Sequence, residues 1–199
     1  MRKKTYDMPI ISATESVLKF ASLWDHEGNQ TLITDKRQVE HPLEDAAVWL
    51  GGDFDSDGVA SPDLELFFQT AELSDYVADQ KILRDWLAQI VRFRKLSLGD
   101  RETLLEEIMR WAVKAQSTPL LAIKHGRFHR EHRTHFDSVQ ALVGEVLTHL
   151  PQLQPGAGPF LAQGDIRQCS KCKTFYVISR RDDTGVCSPR CRAARARSR

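Results

Sequence analysis

The chain has 199 residues, of which 41% are hydrophobic, and a formal net charge of +1. This length allows one ordinary domain with its own core and a small additional module, and the hydrophobic fraction is that of a globular protein. Apolar runs are short, and the first residues lack the apolar stretch of a secretory signal, so neither a membrane span nor export is indicated. We therefore expect a cytoplasmic protein whose cysteines stay reduced and available to a metal.

The net charge hides a strong asymmetry between the two ends of the chain. Residues 167–199 contain ten Lys and Arg against two Asp, a net of +8, whereas residues 1–166 contain 18 basic and 25 acidic residues, a net of −7. This split predicts a polyanion-binding end on an acidic body. The alternative interpretation is a solvated, partly disordered tail.

The first half of the body contains two helix starts. Ser12 and Glu15 have the spacing of a capping box, and the apolar residues that follow recur at helical spacing, which predicts a short amphipathic helix over residues 13–24. A mixed pattern follows to about residue 60 and could hold a short strand at 31–34. Ser61, Pro62 and Asp63 form a second helix start, because serine caps, proline fits the first turn and aspartate complements the helix dipole.

The clearest helical pattern lies in the middle of the chain. Apolar stripes over residues 83–91 and 104–112, separated near Gly99, predict two helices that pack as an antiparallel pair. Side chains at this spacing usually belong to a core, and we therefore assign Trp86, Met109 and Trp111 to packing.

The segment from Pro119 to His135 fits either a β-hairpin around Gly126 or a helix, and the hairpin is favoured. Residues 139–150 form a last amphipathic helix after a capped start at 137–140. A Pro/Gly-rich run then ends the body. These observations divide the chain into a helical domain at 1–150, a linker at 151–166 and a small module at 167–199.

All four cysteines of the chain fall within this module, as Cys169-x-x-Cys172 and, after fourteen residues, Cys187-x-x-x-Cys191. Four thiolates supply the closed tetrahedral shell of a structural zinc site and leave no open position for a substrate, so a catalytic zinc is not expected. Residues 173–179 read as a strand, 180–185 as a turn, and Ser188 with Pro189 as a helix start that carries the last two cysteines. The competing interpretations are four unrelated buried cysteines or two disulfides.

The run Cys169-x-x-Cys172-x-x-Phe175, followed by Ser179-Arg180, Cys187-Ser188, Cys191 and a basic tail, resembles the CGNR zinc-finger family. In that family a helical N-terminal region, called the ABATE domain, precedes the finger, and its members are regarded as bacterial stress-induced transcription regulators. The resemblance implies the same four cysteines as ligands of one structural zinc ion. One departure is that Arg192-Ala193-Ala194 replaces the Gly-Asn-Arg that follows the family's last cysteine, so the role of those residues does not carry over.

The expected fold is mainly α with short β-hairpins, a helical ABATE-like domain followed by a small treble-clef or zinc-ribbon-like module with four cysteine ligands. The leading hypothesis for function is a DNA-binding transcription regulator, not an enzyme, that contacts double-stranded DNA through its C-terminal helix and dimerises through its helical body. One face of that helix carries Arg192, Arg195 and Arg199, and a neighbouring face carries Arg190 and Arg197. These five arginines are the candidate contact residues.

Two other classes of function remain open. One is an RNA-binding or protein-interaction adaptor that uses the same basic helix with a structural zinc. The other is a metal-dependent hydrolase or nuclease that uses Asp53, Asp55 and Asp57 or the histidines at 125, 129, 132 and 135. The aspartates open like a calcium loop, but its closing position is Leu64, which favours an acidic surface turn. The histidines lack the pattern of a catalytic zinc helix and read as a polar surface segment.

Overall fold

A computed structural model describes residues 8–22, 36–49, 66, 68–124, 127–136, 138–150, 153, 165–178 and 185–197. The predicted fold class is confirmed, since a mainly helical body is followed by a small module that carries the cysteine cluster. In chain order the elements are α1 (Met8–Ala21), α2 (Lys36–Trp49), α3 (Leu73–Val91), a 3-10 turn (Phe93–Lys95), α4 (Leu98–Ala112), β1 (Gln116–Lys124), β2 (Arg127–His135), α5 (Val139–Thr148), β3 (Ile166–Gln168), β4 (Phe175–Val177) and α6 (Pro189–Arg197).

The core lies where α1, α2, α3 and α5 meet, and α4 packs on α5. Helix α5 is central because nearly all of its apolar residues are buried, and Ser138 caps it by accepting a hydrogen bond from the Ala141 amide at 3.2 Å. The largest fully buried side chains of the body are Phe20, Leu43, Tyr76, Leu83, Leu87, Ile90, Leu104, Ile108, Phe136, Leu142, Leu147 and Leu150.

The first two helices differ from the sequence prediction. Helix α1 begins at Met8, so Ser12 lies inside the helix and does not cap it, because buried Ile11 continues the apolar stripe toward the N-terminus. Helix α2 was not predicted, since Pro42 interrupts its pattern. The helix nevertheless continues through Pro42, with its apolar residues 39, 43, 46 and 47 buried at helical spacing. The candidate strand at 31–34 and the helix start at 61–63 lie outside the described residues.

The predicted helices over 83–91 and 104–112 correspond to α3 and α4, and they contact each other through two tryptophans. The ring centroids of Trp86 and Trp111 lie 4.4 Å apart with a tilt of 57°, and the Trp86 Nε1–H donates to Glu107 Oε2 at 2.8 Å. Both tryptophans are buried, as predicted. The assignment of Met109 to the core is wrong, because its side chain is 49% exposed.

The segment 116–135 forms the favoured hairpin. Strands β1 and β2 pair antiparallel, with Gln116 opposite His135 and Lys124 opposite Arg127. Residues 129 and 132 lie on a strand and not on a helix, so they do not share the helical face on which a metal site would have depended. His125 and Gly126 lie outside the described residues.

The strands of the cysteine module belong to the same core as the helices. Strand β3, which begins at Ile166, one residue before the predicted module, packs on α3, and β4 packs on α1. The two strands contribute buried Ile166, Phe175 and Val177 to this core. Most of the predicted linker at 151–166 lies outside the described residues, but Leu153 within it is also buried in the core. None of the helices in the described part of the chain combines the length and the apolar character needed to cross a membrane.

The contact between α4 and α5 depends on a glycine. A Cβ atom placed on Gly144 would lie 2.4 Å from the Ala112 backbone nitrogen, closer than packed atoms approach, whereas a Cβ on Gly99 would meet nothing within 4 Å. We therefore expect Gly144→Ala to lower the free energy of unfolding by about 1 to 3 kcal/mol, the cost of overpacking. Gly99→Ala, which improves helix propensity at an open site, should leave it unchanged or raise it by up to about 1 kcal/mol. Urea unfolding of both variants measures the difference, and equal stabilities would contradict the observed helix contact.

Candidate metal centre

The sulfur atoms of Cys169, Cys172, Cys187 and Cys191 all lie within 4.8 Å of one another. The Sγ atoms of Cys172 and Cys187 are 3.4 Å apart, and those of Cys187 and Cys191 are 3.7 Å apart. A disulfide would require about 2.05 Å, and all four cysteines are free. The two-disulfide interpretation and the interpretation of four unrelated cysteines are therefore both wrong for this structure.

The first pair of cysteines sits on a tight knuckle between β3 and β4. Strand β3 pairs antiparallel with β4, so that Gln168 lies opposite Phe175 and the knuckle closes the hairpin. The Cys169 amide donates to the Thr174 carbonyl at 2.9 Å, and the Lys173 amide donates to the Cys169 carbonyl at 3.0 Å. Lys173 adopts a φ of 62°, a left-handed conformation that turns the chain back after Cys172.

The second pair enters through a turn and the first turn of α6. Gly185 has a φ of 69°, which glycine adopts at little cost, and its carbonyl accepts hydrogen bonds from the Ser170 amide at 3.1 Å and the Ser170 hydroxyl at 3.0 Å. Ser188 caps α6 as predicted, because its Oγ accepts from the Cys191 amide at 3.3 Å. Cys187 therefore precedes the helix and Cys191 lies within its first turn.

The surroundings favour the thiolate form of buried Cys169 and the neutral thiol form of Cys187. Cys169 is fully buried, and burial opposes ionisation. Backbone N–H groups of Cys172, Cys187 and Lys171 nevertheless donate to its sulfur and lower its pKa to about 6. Burial, together with hydrogen bonds that the Cys187 thiol donates to neighbouring sulfur atoms such as Cys191 Sγ, raises the pKa of Cys187. Four thiols at this spacing cannot all ionise unless a cation compensates their charge.

The four sulfurs fit a tetrahedral metal ion. A zinc ion with Zn–S bonds of about 2.3 Å separates its sulfur ligands by about 3.8 Å, close to the observed 3.4 Å and 3.7 Å. Four thiolates complete such a shell, so the arrangement provides no open position at which a substrate could bind. A metal ion bound by the four sulfurs would crosslink the β3–β4 hairpin to the start of α6.

The structure places the candidate arginines on α6, although in different environments. Arg190, Arg192 and Arg197 are exposed, whereas Arg195 is half-buried, with its Nη1 atom 3.5 Å from where a Cβ on Gly185 would lie. Arg199 lies outside the described residues, as do Asp53, Asp55 and Asp57. The hydrogen bonds from Ser170 to the Gly185 carbonyl were not predicted from the sequence. No feature of the immediate sequence distinguishes Ser170 from any other serine between two cysteines.

Comparison of the chain with protein-family models, with curated proteins and with solved structures found no match in any of the three. The resemblance to the CGNR zinc-finger family therefore stays a prediction, and the function of the site has to be inferred from its own geometry.

Because β3 and β4 pack in the core, we expect the stability of the helical body to depend on the cysteine cluster as well. We expect Cys172→Ser to prevent formation of the tetrathiolate shell and to loosen buried Phe175 and Val177, which lowers the free energy of unfolding of the body by about 2 to 5 kcal/mol, the range for losing one large core side chain. Ser170→Ala, which removes one exposed hydrogen bond, should cost only about 1 kcal/mol. Thermal unfolding followed by tryptophan fluorescence tests this difference. An unchanged melting temperature in Cys172→Ser would mean that the body does not depend on the module.

Proposed function

We propose that the four cysteines bind one structural zinc ion and that the chain is a DNA-binding transcription regulator of the bacterial cytoplasm. The supporting observation is helix α6, which begins within the cysteine cluster and has no buried residue. It carries four arginines and no acidic side chain over Pro189–Arg197. An α-helix with its side chains is about 10 to 12 Å in diameter and can enter the major groove, which is about 12 Å wide.

The chemistry of the ligands favours zinc over metal ions that prefer oxygen or nitrogen ligands. Thiolates are soft ligands, and a closed tetrahedral set of four is typical of zinc or of iron–sulfur centres. A structural zinc would hold the first turn of α6 against the knuckle, so that the helix keeps its orientation without a hydrophobic face of its own. This explains how so polar a helix can be ordered, since an isolated helix this short is marginal in water.

The arginines of α6 do not form one continuous surface. At about 100° per residue, Arg190 and Arg197 lie on the same side of the helix, and Arg192 and Arg195 lie on the opposite side. The sequence-based expectation that these two pairs occupy neighbouring faces is therefore wrong. Because Arg195 is half-buried next to Gly185, we infer that Arg190 and Arg197 form the DNA-contacting side.

The acidic body has a separate role in this proposal. Its net charge of −7 over residues 1–166 repels DNA phosphates, which directs the polyanion toward the C-terminal module. We further propose that the body forms a homodimer, because large apolar side chains remain exposed on and just after α3 and α4. These side chains are Ile82, Leu98, Met109 and Val113.

We expect the double variant Arg190→Ala with Arg197→Ala to lose affinity for duplex DNA and to reduce the slope of log affinity against log salt by about 2, because two phosphate contacts are lost. The matched control, Lys81→Ala with Arg110→Ala, removes two exposed cations from the body and should leave the slope unchanged. Fluorescence anisotropy with a labelled duplex, at several salt concentrations, measures both.

Selection of bound sequences from a random duplex pool then distinguishes a regulator from a generic polyanion binder. Enrichment of one motif supports the regulator, since bidentate arginine contacts to guanine contribute about 1 to 3 kcal/mol of discrimination. Equal loss of affinity in the control variant, or preference for structured RNA over any duplex, would contradict the proposal and favour an RNA-binding adaptor.

A further inference from the structure

A cavity of about 190 Å³ lies where the end of α3 meets strand β3. The end of the helix and the 3-10 turn that follows it line one side, and Asp165 and Arg167 from the start of the module line the other. The cavity therefore sits at the junction between the helical body and the cysteine module.

Most of the polar side chains around this cavity are cations. Among the described residues, the cavity is lined by Arg92, Arg94, Lys95 and Arg167 together with one carboxylate, that of Asp165, which gives this part of the lining a net charge of +3. The Arg167 guanidinium donates to Asp165 Oδ2 at 3.4 Å, and this carboxylate is only 3% exposed. The Asp165 carboxylate is thus already engaged by Arg167, and the other cations of the described lining are Arg92, Arg94 and Lys95.

A purely structural role explains only part of this arrangement. Cations at a helix C-terminus interact favourably with the helix dipole, which accounts for basic residues at positions 92–95. The ion pair with Asp165 accounts for Arg167. Neither explanation accounts for the convergence of these four cations, from distant parts of the sequence, on one cavity. Within the described residues, the side chains of Arg92 and Lys95 have no hydrogen-bond or ion-pair partner.

The backbone of the cationic turn is held in place by another arginine. The Arg101 guanidinium donates from Nη2 to the Arg94 carbonyl at 2.6 Å and from Nε to the Leu96 carbonyl at 3.1 Å. The same guanidinium lies over the Phe93 ring, 5.6 Å from its centroid. The turn is therefore preorganised, which reduces the entropy lost when its side chains close on a ligand.

We propose that this cavity binds a phosphate group. Guanidinium and ammonium groups are the side chains that recognise phosphate oxygens. The two positive charges of Arg92 and Lys95, which have no partner among the described residues, match the charge of a phosphate dianion. The phosphate can come from a nucleic-acid backbone or from a small phosphorylated compound, and both share the same chemistry at this site. Binding here requires neither the metal nor helix α6, so the site stands independently of the proposed DNA-binding function.

The first experiment titrates the full-length chain with inorganic phosphate, with chloride adjusted to hold the ionic strength constant. We expect one saturable site by calorimetry, weakened about tenfold by Arg92→Gln with Lys95→Gln, because each exposed charge pair contributes up to about fivefold. Both side chains are exposed, so this variant should fold normally, which circular dichroism checks.

The matched charge control is Lys81→Gln with Arg110→Gln. A second control, Arg190→Ala with Arg197→Ala, distinguishes phosphate binding in the cavity from phosphate binding on α6. Both should bind phosphate as the wild type does.

The second experiment identifies the source of the phosphate. If Arg92→Gln with Lys95→Gln reduces the salt slope for duplex DNA by about 2, the cavity holds a phosphate of the nucleic-acid backbone. If the slope is unchanged and an adenosine monophosphate titration saturates at lower concentration than inorganic phosphate, the site takes a small phosphorylated ligand. Phosphate binding that is absent in the wild type, or equally strong in the Arg92 and Lys95 variant, overturns the proposal.

Discussion

Four sulfur atoms within 4.8 Å of one another are the constraint on which the C-terminal module depends. Thiols at this spacing neither pair as disulfides nor ionise together without a compensating cation. The knuckle that carries Cys169 and the helix that carries Cys191 share few apolar contacts of their own, since α6 has no buried residue. A metal ion at the centre of the cluster would supply the crosslink that a hydrophobic core supplies elsewhere.

The module is nevertheless continuous with the helical body. Ile166, Phe175 and Val177 extend the core formed by α1, α3 and α5, and they reach it from both strands of the β3–β4 hairpin. This packing fixes the base of the module, while the cysteine cluster fixes its outer end and the direction of α6. The cationic cavity lies at the same base, next to Asp165 and Arg167. An anion bound there would lie at the base of the same module whose helix α6 carries the proposed DNA-contacting arginines.

Local patterns in the sequence predicted those features whose causes are local. The spacing of the four cysteines identified the cluster, Ser188 identified the start of α6, and the apolar stripes identified α3, α4 and α5. Helix α2 was not predicted, because Pro42 was given more weight than the helical spacing of its apolar residues. Met109 was wrongly assigned to the core, because periodicity does not show at which residue an apolar stripe reaches the surface. The packing of Phe175 on the body is a long-range contact, and Arg92 and Arg167 line one cavity although they are far apart in the sequence. No local pattern contains either relation.

The central claim is that one ion joins all four cysteines, and X-ray absorption at the zinc edge tests it most directly. For protein purified under reducing conditions, we predict a single shell of four sulfur atoms at about 2.3 Å from zinc. A shell that contains nitrogen or oxygen ligands would mean that at least one cysteine lies outside the site. Protein that folds fully and retains no metal would contradict the central claim altogether.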